Sequence, residues 1–406
     1  MAEVTVRPLI SESSTSESCN VEVVIGDLQA GTLQIPDYQR DCNQWGDDTK
    51  SLLIESVINN LTIPAFFFEV LSRDGMEYNE VVDGQQRLTT LRDFFEGRFS
   101  LVSADDAPYI SPYSLHYAGK KFNELPIQYQ QSFKKYRLTI IKLKSLGDMR
   151  LEIFRRINQG GTPLSGQDIR LAYYGESSKS VAFIRIAGIY DKTRPSAERF
   201  LTSAQTKYQI SYPWVGDAHQ HWSEWWADKE ISHGQVPSEM FLWSLIAVDF
   251  EKLNQLLQDT ATMSKIRCRY TNVIEEALDA YCSYCNYQDK NPNEPSFFMP
   301  FDEMQDRFFS CFMQGFDKIV IRGPGIPVTK HRAVASVIGN LYSRKVNLDN
   351  INDQQWTNIV EFVRRPQETA KRYELSYPYG KGRWEGNGGY FRQFTVVKEI
   401  VGKILS

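Results

Sequence analysis

The sequence predicts a mixed α/β domain over residues 21–175, followed by a mainly helical region over residues 176–406. In the first part, short apolar runs bounded by glycine, proline and polar turns are typical of strands. Beyond residue 175 the apolar residues recur at three- and four-residue spacing, which indicates amphipathic helices. Met1–Asn20 is rich in Ser, Thr and Glu, and we predict a flexible tail there.

The predicted elements of the first domain alternate between strands and helices. Each strand is a short β-branched or aromatic run, and each helix has apolar residues on one face. A helical turn is expected at Leu28–Thr32, and Gly97 is placed to end a helix. The predicted strands are Val21–Ile25, Ala65–Leu71, Tyr78–Val82, Phe99–Val102 and Tyr136–Lys144; the predicted helices are Asp48–Asn60, Leu88–Phe95, Leu125–Lys135, Met149–Asn158 and Ser165–Tyr174.

In the second region the apolar spacing predicts helices only. They are Ser180–Tyr190, Ser238–Gln258, Met263–Tyr284, Phe301–Phe316, Ala333–Leu341 and Gln354–Val363.

Composition is that of a soluble globular protein in a reducing compartment. Hydrophobic residues make up 42% and charged residues 24% of the chain. The net charge of −4 argues against a constitutive, non-specific coat on DNA, although a local basic face is compatible with it. The six scattered cysteines do not form a disulfide framework, and neither a signal peptide nor a membrane-spanning run is evident. We therefore expect a cytoplasmic protein without a membrane partner.

The segment from Asp83 to Arg87 has the composition of an anion-binding turn. A predicted strand ends at Asp83, Gly84 permits a sharp turn, and a helix follows. The first turn of a helix presents unpaired backbone N–H groups that attract an anion, and Arg87 can add its guanidinium. The alternative is structural: Asp83 caps the helix and Arg87 pairs with a surface carboxylate. Local residues alone leave both interpretations open.

Two other segments favour the anion-binding interpretation. Gln39 and Arg40 follow a rigid extended stretch that begins with Ile35 and Pro36. Asn158 precedes a glycine-punctuated junction between two predicted helices, and Arg170 lies in the second of them. Three junctions rich in Arg, Gln, Gly and Asp in one α/β domain exceed what composition alone would give.

These three motifs together resemble a known family. The order I-P-x-Y-Q-R, then V-D-G-Q-Q-R-L-T-T-L, then F-x-R-I-N-x-G-G-x-P-L-S-x-x-D-I-R is similar to the N-terminal domain of GmrSD-type restriction systems, over roughly Val21–Tyr174. The resemblance implies a ParB/sulfiredoxin-like fold, in which the G-x-x-R turn holds nucleotide phosphates. It also implies binding and hydrolysis of a nucleoside triphosphate with Mg²⁺, coupled to restriction of foreign or modified DNA.

The resemblance also implies roles for residues at the matching positions. Asp83, Gln86 and Arg87 would be catalytic, with Asp83 holding Mg²⁺ or orienting water, Gln85 or Gln86 positioning water, and Arg87 neutralising phosphate charge. The residues expected to bind the nucleotide are Gln39, Arg40, Gly84, Gln85, Arg87, Asn158 and Arg170.

Longer members of the family continue into an HNH-type nuclease domain, and its histidine pattern is not recognised here. His219 and His221 lie beside three tryptophans, which indicates aromatic packing rather than a metal site. Cys282 and Cys285 have the spacing of a zinc pair but lack a second pair, so helical packing is the preferred interpretation. Cleavage of DNA by this chain alone is therefore in doubt.

Two stretches of the second region are candidates for contact with nucleic acid. Residues 318–345 contain Lys330 and Arg332 among several cations and no acidic residue. A later stretch mixes Lys381, Arg383 and Trp384 with glycines, which suits phosphate contacts combined with base stacking. The alternative is a solvated basic face and a packed aromatic loop.

The sequence as a whole predicts a nucleotide-binding, hydrolysing subunit or sensor of a restriction or phage-defence system. It would act on DNA directly or through a separate nuclease partner, and a homodimer is compatible with related folds. One alternative is a non-enzymatic DNA-binding adaptor, in which the same arginines hold backbone phosphate. Another is a nicking endonuclease that uses the ParB-like domain itself.

Overall fold

The chain divides into two units, Met1–Pro163 and Leu164–Ser406, in a computed structural model of the protein. The structure describes residues 14–35, 45–73, 75–144, 166–175, 177–193, 195–211, 213, 216–227, 236–266, 273–376 and 389–406.

Five strands of the first unit form a mixed sheet in the order β1-β5-β3-β4-β2. β3 and β4 are an antiparallel hairpin, β5 runs parallel to β3, β1 is antiparallel to β5, and β2 is parallel to β4. This arrangement places β3 at the centre of the sheet. The strands are β1 (Thr15–Asn20), β2 (Leu33–Gln34), β3 (Phe66–Arg73), β4 (Met76–Asp83) and β5 (Arg137–Leu143).

Four helices of this unit bury apolar residues with one face of the sheet. Leu53, Ile54 and Val57, for example, share a core with Phe66 and Phe68 of β3. The helices are α1 (Val21–Ala30), α2 (Asp47–Ile58), α3 (Gln85–Phe95) and α4 (Ile127–Lys135). The core therefore lies directly beneath the end of β4, where α3 begins.

The start of the domain differs from the sequence prediction. Val21–Ile25 is the first part of α1 rather than a strand, because Val21, Val24 and Ile25 are buried while Val23 is exposed. This three- and four-residue spacing outweighs the β preference of the individual residues. Thr15–Asn20, predicted as part of a flexible tail, is an edge strand instead. It is held by backbone bonds to β5, which need no apolar side chains.

A predicted strand at Phe99–Val102 is also wrong. These residues lie in a loop, where the Leu101 N–H donates to Lys120 O at 3.0 Å and the Val102 N–H donates to Ser51 Oγ at 3.0 Å. The apolar run looked like a strand because Leu101 is buried. Its backbone is nevertheless satisfied by individual loop contacts rather than by a sheet.

In the second unit the regular elements among the described residues are all helices. Its core is rich in aromatic side chains, including Trp222, Trp226, Trp243 and Trp356. The helices are α5 (Gly166–Gly175), α6 (Lys179–Ala187), α7 (Pro195–Tyr208), α8 (Asp217–Ala227), α9 (Val236–Gln258), α10 (Thr260–Lys265), α11 (Val273–Lys290), α12 (Phe309–Arg322), α13 (His331–Ser343), α14 (Asp353–Arg364), α15 (Pro366–Arg372) and α16 (Gly389–Leu405). A short helical turn at Phe301–Glu303 and a π-helical segment at Met304–Phe308 lead directly into α12.

The fold class predicted from the sequence is therefore confirmed, with a difference at the boundary. Helix α5 was expected to close the first domain, but it packs on α6 and α11 of the second unit. Leu171 and Tyr174 bury themselves in that helical core. Among the described residues, no helix combines the length and the apolar character needed to cross a membrane.

His331, the first residue of α13, gives this helical unit a pH dependence. Its Nδ1 lies 2.9 Å from Val328 O, and its Nε2 atom is buried without a hydrogen-bond partner among the described residues. Burial, with Arg332 nearby, lowers the pKa of His331 to about 4. The folded protein therefore holds a neutral imidazole that the unfolded chain would protonate near pH 6.5.

We expect the free energy of unfolding to fall by roughly 2 kcal/mol through His331 as the pH drops from 6.5 towards 4. The sign follows from the lowered pKa, because stability is present above the unfolded value and lost below it. Urea denaturation of the wild type and of His331→Gln across this pH range measures the difference. The exposed His116→Gln is the control, and equal pH slopes in wild type and His331→Gln would contradict the prediction.

Candidate anion-binding site

The turn between β4 and α3 requires a glycine for two separate reasons. Gly84 has φ 99°, in the left-handed region that disfavours residues with a side chain. A Cβ atom at this position would also lie 2.5 Å from Cδ1 of Phe66, whose ring is fully buried. The chain therefore passes directly over the Phe66 ring as it enters α3.

A β-bulge precedes the turn and moves Asp83 out of regular register. Phe68 lies opposite Val81, but Phe67 rather than Phe66 lies opposite Asp83, so Val82 is the additional residue in β4. Bulges commonly redirect a side chain at the end of a strand. Here the bulge places Asp83 immediately before the left-handed glycine.

The N-terminus of α3 has no side-chain cap. The first backbone bond of the helix runs from the Leu88 N–H to Gly84 O, at 2.8 Å. Within the described part of the chain, the N–H groups of Gln85, Gln86 and Arg87 have no acceptor, and no side chain caps them. Nε2 of Gln86 is buried and also has no partner among the described residues. These donors and the positive end of the helix dipole suit an anion.

Arg87 is fixed by three contacts. Its Nη2 donates to Asp83 Oδ2 at 2.9 Å, and its Nη1 donates to the carbonyl oxygen of Pro64. The guanidinium carbon lies 4.7 Å from the centre of the Phe66 ring. Only 11% of the Arg87 side chain and 29% of the Asp83 side chain are exposed. The Arg87 guanidinium is therefore held in one place before any ligand arrives.

Burial dominates the electrostatics of this pair. Desolvation raises the pKa of Asp83 above its ordinary value, although Arg87 and the Gly84 N–H both act to lower it. Desolvation likewise lowers the pKa of Arg87, against the attraction of Asp83. Both directions mean that the charged pair is under-solvated, so an added counter-charge at either group would be favourable. An anion would interact with Arg87 and the helix N-terminus, and a cation with Asp83.

This geometry differs from the alternative in which Asp83 caps the helix and Arg87 pairs with a surface carboxylate. Asp83 does not cap α3, and Arg87 pairs with Asp83 itself rather than with a separate surface carboxylate. Asp83, Gly84, Gln85, Gln86 and Arg87 are brought together as one turn, whereas Gln39, Arg40 and Asn158 lie outside the described residues. Their predicted roles stay predictions.

Arg170 occupies a different environment. It is fully buried in the helical unit, where its Nε donates to Gln167 Oε1 at 2.9 Å and its Nη1 pairs with Asp279 at 3.2 Å. A guanidinium paired in this way stabilises the packing of α5 on α11. This burial disfavours a contact of Arg170 with a nucleotide, and that contact stays a prediction.

Of the residues predicted to contact nucleic acid, Lys330 and Arg332 lie in the described region, and the charge of Arg332 is compensated by an acid. Lys330 ends a short turn at Val328–Lys330 and is half-buried. Arg332 pairs with Glu239 at 3.0 Å and lies over the ring of Trp243, so it is directed into the helical unit. Lys381, Arg383 and Trp384 lie outside the described residues.

The weaker motifs have structural roles. Trp222, Trp225 and Trp226 are buried beside the two histidines, as the aromatic-packing interpretation predicted, and His221 Nδ1 lies 2.6 Å from Asp317 Oδ1. Cys282 and Cys285 are buried in α11, where burial raises the pKa of both thiols. Among the described residues, no group of three or more His, Cys, Asp or Glu could hold a metal ion.

Two residues of the site were missed in the sequence, Pro64 and Phe66. Phe66 begins an aromatic run, Phe66-Phe67-Phe68, that predicts a buried strand and nothing more specific. The carbonyl group of Pro64 has no sequence signal at all, because every residue has a carbonyl.

Comparison with known proteins supports the assignment of the first part of the chain. Residues 21–175 match the family model of the GmrSD restriction endonuclease, N-terminal domain. The matched segment includes β4, the turn at Asp83–Arg87 and α3. The chain has no match among curated proteins or solved structures.

The Gly84→Ala variant is expected to lose about 2–4 kcal/mol of unfolding free energy. The left-handed backbone accounts for about 1–2 kcal/mol, and the clash with the buried Phe66 ring accounts for the rest. Gly97→Ala is the matched control, because Gly97 has φ 71° but open space around its Cβ position. Urea denaturation of both variants gives the comparison. Equal losses would show that the Phe66 contact does not constrain the turn.

Asp279→Asn is expected to cost about 3 kcal/mol or more, because it removes the charged carboxylate that pairs with the buried Arg170. Asp353→Asn is the control. It removes the acidic partner of Arg322 from a pair in which Asp353 is 95% exposed, and no measurable loss is expected. Thermal unfolding of the two variants separates these outcomes, and a stable Asp279→Asn protein would refute a structural role for Arg170.

Proposed function

We propose that the protein binds and hydrolyses a nucleoside triphosphate as a component of a restriction or phage-defence system, because residues 21–175 match the model of the GmrSD restriction endonuclease, N-terminal domain. The family assignment supports the coarser part of this statement, the role in restriction. The nucleotide is supported by the geometry of the turn at Asp83–Arg87.

The observation that carries the nucleotide proposal is the uncapped start of α3. Its first-turn N–H groups and the buried Nε2 of Gln86 have no acceptor in the described part of the chain, and Arg87 is held beside them. A buried donor without an acceptor is costly, typically about 1–3 kcal/mol. A phosphate group would satisfy several such donors at once.

In this proposal each residue of the turn would have a role in nucleotide binding that follows from its charge. Arg87 and the helix N-terminus would bind phosphate oxygens, while the Gln86 amide would donate to the same ligand or hold water. Asp83 would hold Mg²⁺, whose chemistry is to neutralise the charge that develops on phosphate oxygens. Gln39, Arg40, Gln85 and Asn158 are proposed to complete the nucleotide site.

The burial of Arg87 favours a small phosphate ligand over the phosphate backbone of duplex DNA. With 11% of its side chain exposed and its guanidinium held by Asp83, Pro64 and Phe66, it has little freedom to extend towards a large surface. We therefore place the adaptor hypothesis second. DNA contact is proposed elsewhere on the protein, directly or through a nuclease partner, and a homodimer is part of the same proposal.

Binding and turnover of the four common ribonucleoside triphosphates with Mg²⁺, with and without DNA, test the proposal. We expect at least one to bind and to be hydrolysed, and Arg87→Ala to weaken binding by about tenfold to a hundredfold, the value of one or two charged hydrogen bonds. Arg92→Ala is the matched control, because Arg92 belongs to the same helix but pairs with Asp93. Both variants should retain cooperative unfolding.

The other outcomes are distinct. No binding of any nucleotide, together with DNA binding that weakens steeply with salt, would replace the proposal with the adaptor hypothesis. Metal-dependent nicking of DNA that disappears in Asp83→Ala would favour the nuclease hypothesis. An unchanged nucleotide affinity in Arg87→Ala would move the nucleotide site away from this turn.

A further inference from the structure

We infer that Phe66 is a positioning residue, whose ring fixes the Arg87 guanidinium and the start of α3 relative to each other. The inference rests on the proposed function, because the purpose of the arrangement is to present both groups to one anion. It concerns a strand residue that the motifs of the sequence do not include.

The same ring contacts both parts of the site. Arg87 lies over it, with its guanidinium carbon 4.7 Å from the ring centre, and Gly84 passes so close that a Cβ would lie 2.5 Å from Cδ1. Phe66 itself has no freedom to move, since it is fully buried at the start of β3 and lies opposite Ile140 of β5. The ring is therefore a fixed reference for both the backbone donors and the side-chain cation.

An aromatic ring holds a guanidinium in position better than an aliphatic side chain of similar size does. A guanidinium over a ring face is attracted by the ring's quadrupole, and more strongly where water is excluded. Contact through the flat face leaves the N–H groups at the edge of the guanidinium available for hydrogen bonds. Two of them donate to Asp83 and to Pro64, which sets the rotation of the group in its plane.

Phe68 provides the comparison that separates positioning from simple core packing. It belongs to the same strand and the same apolar core, is 3% exposed, and has its ring centre 6.4 Å from that of Phe66. Among the described residues, however, no cation lies over its ring. Replacing either phenylalanine by leucine removes a similar amount of buried apolar surface, but only one of the two replacements removes the support under Arg87.

The first experiment compares Phe66→Leu, Phe68→Leu, Arg87→Ala and the double variant Phe66→Leu/Arg87→Ala in the full chain. The probe is each of the four ribonucleoside triphosphates with Mg²⁺, and unfolding is measured alongside binding. We expect similar losses of stability in the two single phenylalanine variants. Phe66→Leu should weaken nucleotide binding by about five- to twentyfold, the range of a partly buried cation–π contact, and Phe68→Leu by less than twofold. In the Arg87→Ala background, Phe66→Leu should weaken binding much less than it does in the wild type, because only the contact of the ring with the start of α3 is then left to lose.

The results distinguish the two proposals. If Arg87→Ala abolishes binding but Phe66→Leu leaves the affinity unchanged, the turn binds nucleotide and the inference about Phe66 is wrong. If Phe66→Leu weakens binding equally with and without Arg87, the ring acts through general packing, and the inference is again wrong. If the wild type binds no nucleotide, the proposed function fails, and a second measurement decides the role of the ring.

That second measurement needs no ligand. In protein labelled with ¹⁵N-arginine, the guanidinium protons of Arg87, assigned by their disappearance in Arg87→Lys, should show an upfield ring-current shift and slow exchange with water. Phe66→Leu should remove both signatures, whereas Phe68→Leu should preserve them. A guanidinium whose shift and exchange are the same in all three proteins would overturn the inference whatever the nucleotide experiment gives.

Discussion

The site depends on one close contact, the passage of the backbone at Gly84 over the buried ring of Phe66. A side chain at position 84 has neither room nor a favourable backbone conformation, so the chain turns into α3 without a capping residue. The helix consequently begins with open N–H groups, and the bulge before the turn directs Asp83 to Arg87 instead of to those groups. The first-turn N–H groups, which have no acceptor within any helix, are left for a ligand because the core beneath the turn requires a glycine in place of a capping side chain.

Two arginines of the chain show how environment separates a structural cation from a candidate binding group. Arg170 and Asp279 are completely buried, and the guanidinium also bonds to Gln167, so this pair is enclosed by its own partners. Arg87 and Asp83 are only partly buried and lie next to donors without acceptors. A buried ion pair costs desolvation energy in both places. Only the Arg87–Asp83 pair lies where a bound ligand could offset part of the desolvation energy.

The sequence predicted the strand, turn and helix at Asp83–Arg87 correctly, because a glycine between a strand-like run and a helical run is an unambiguous local signal. It failed at Val21–Ile25, where β-branched residues favour a strand but the buried positions follow a helix. It also failed at Thr15–Asn20, whose strand is held by backbone pairing with a distant segment. Phe66 was invisible as a site residue, since a ring that supports an arginine and a ring that fills a core have the same local sequence.

In the helical unit, too, the local sequence did not reveal which partners the charged residues have. The stretch from residue 318 to 345 has no acidic residue in sequence, yet Lys318 pairs with Asp349 and Arg322 with Asp353, which lie just beyond it. The two acids are 77% and 95% exposed, so solvent screens both pairs and they contribute little to stability, although the two cations themselves are only 25% and 38% exposed. A polyanion could therefore replace these carboxylates at small cost, whereas Arg332, turned towards Glu239 and Trp243, would have to leave a partly buried partner. Any contact of this face with DNA phosphate is accordingly expected to use Lys318 and Arg322 before Arg332.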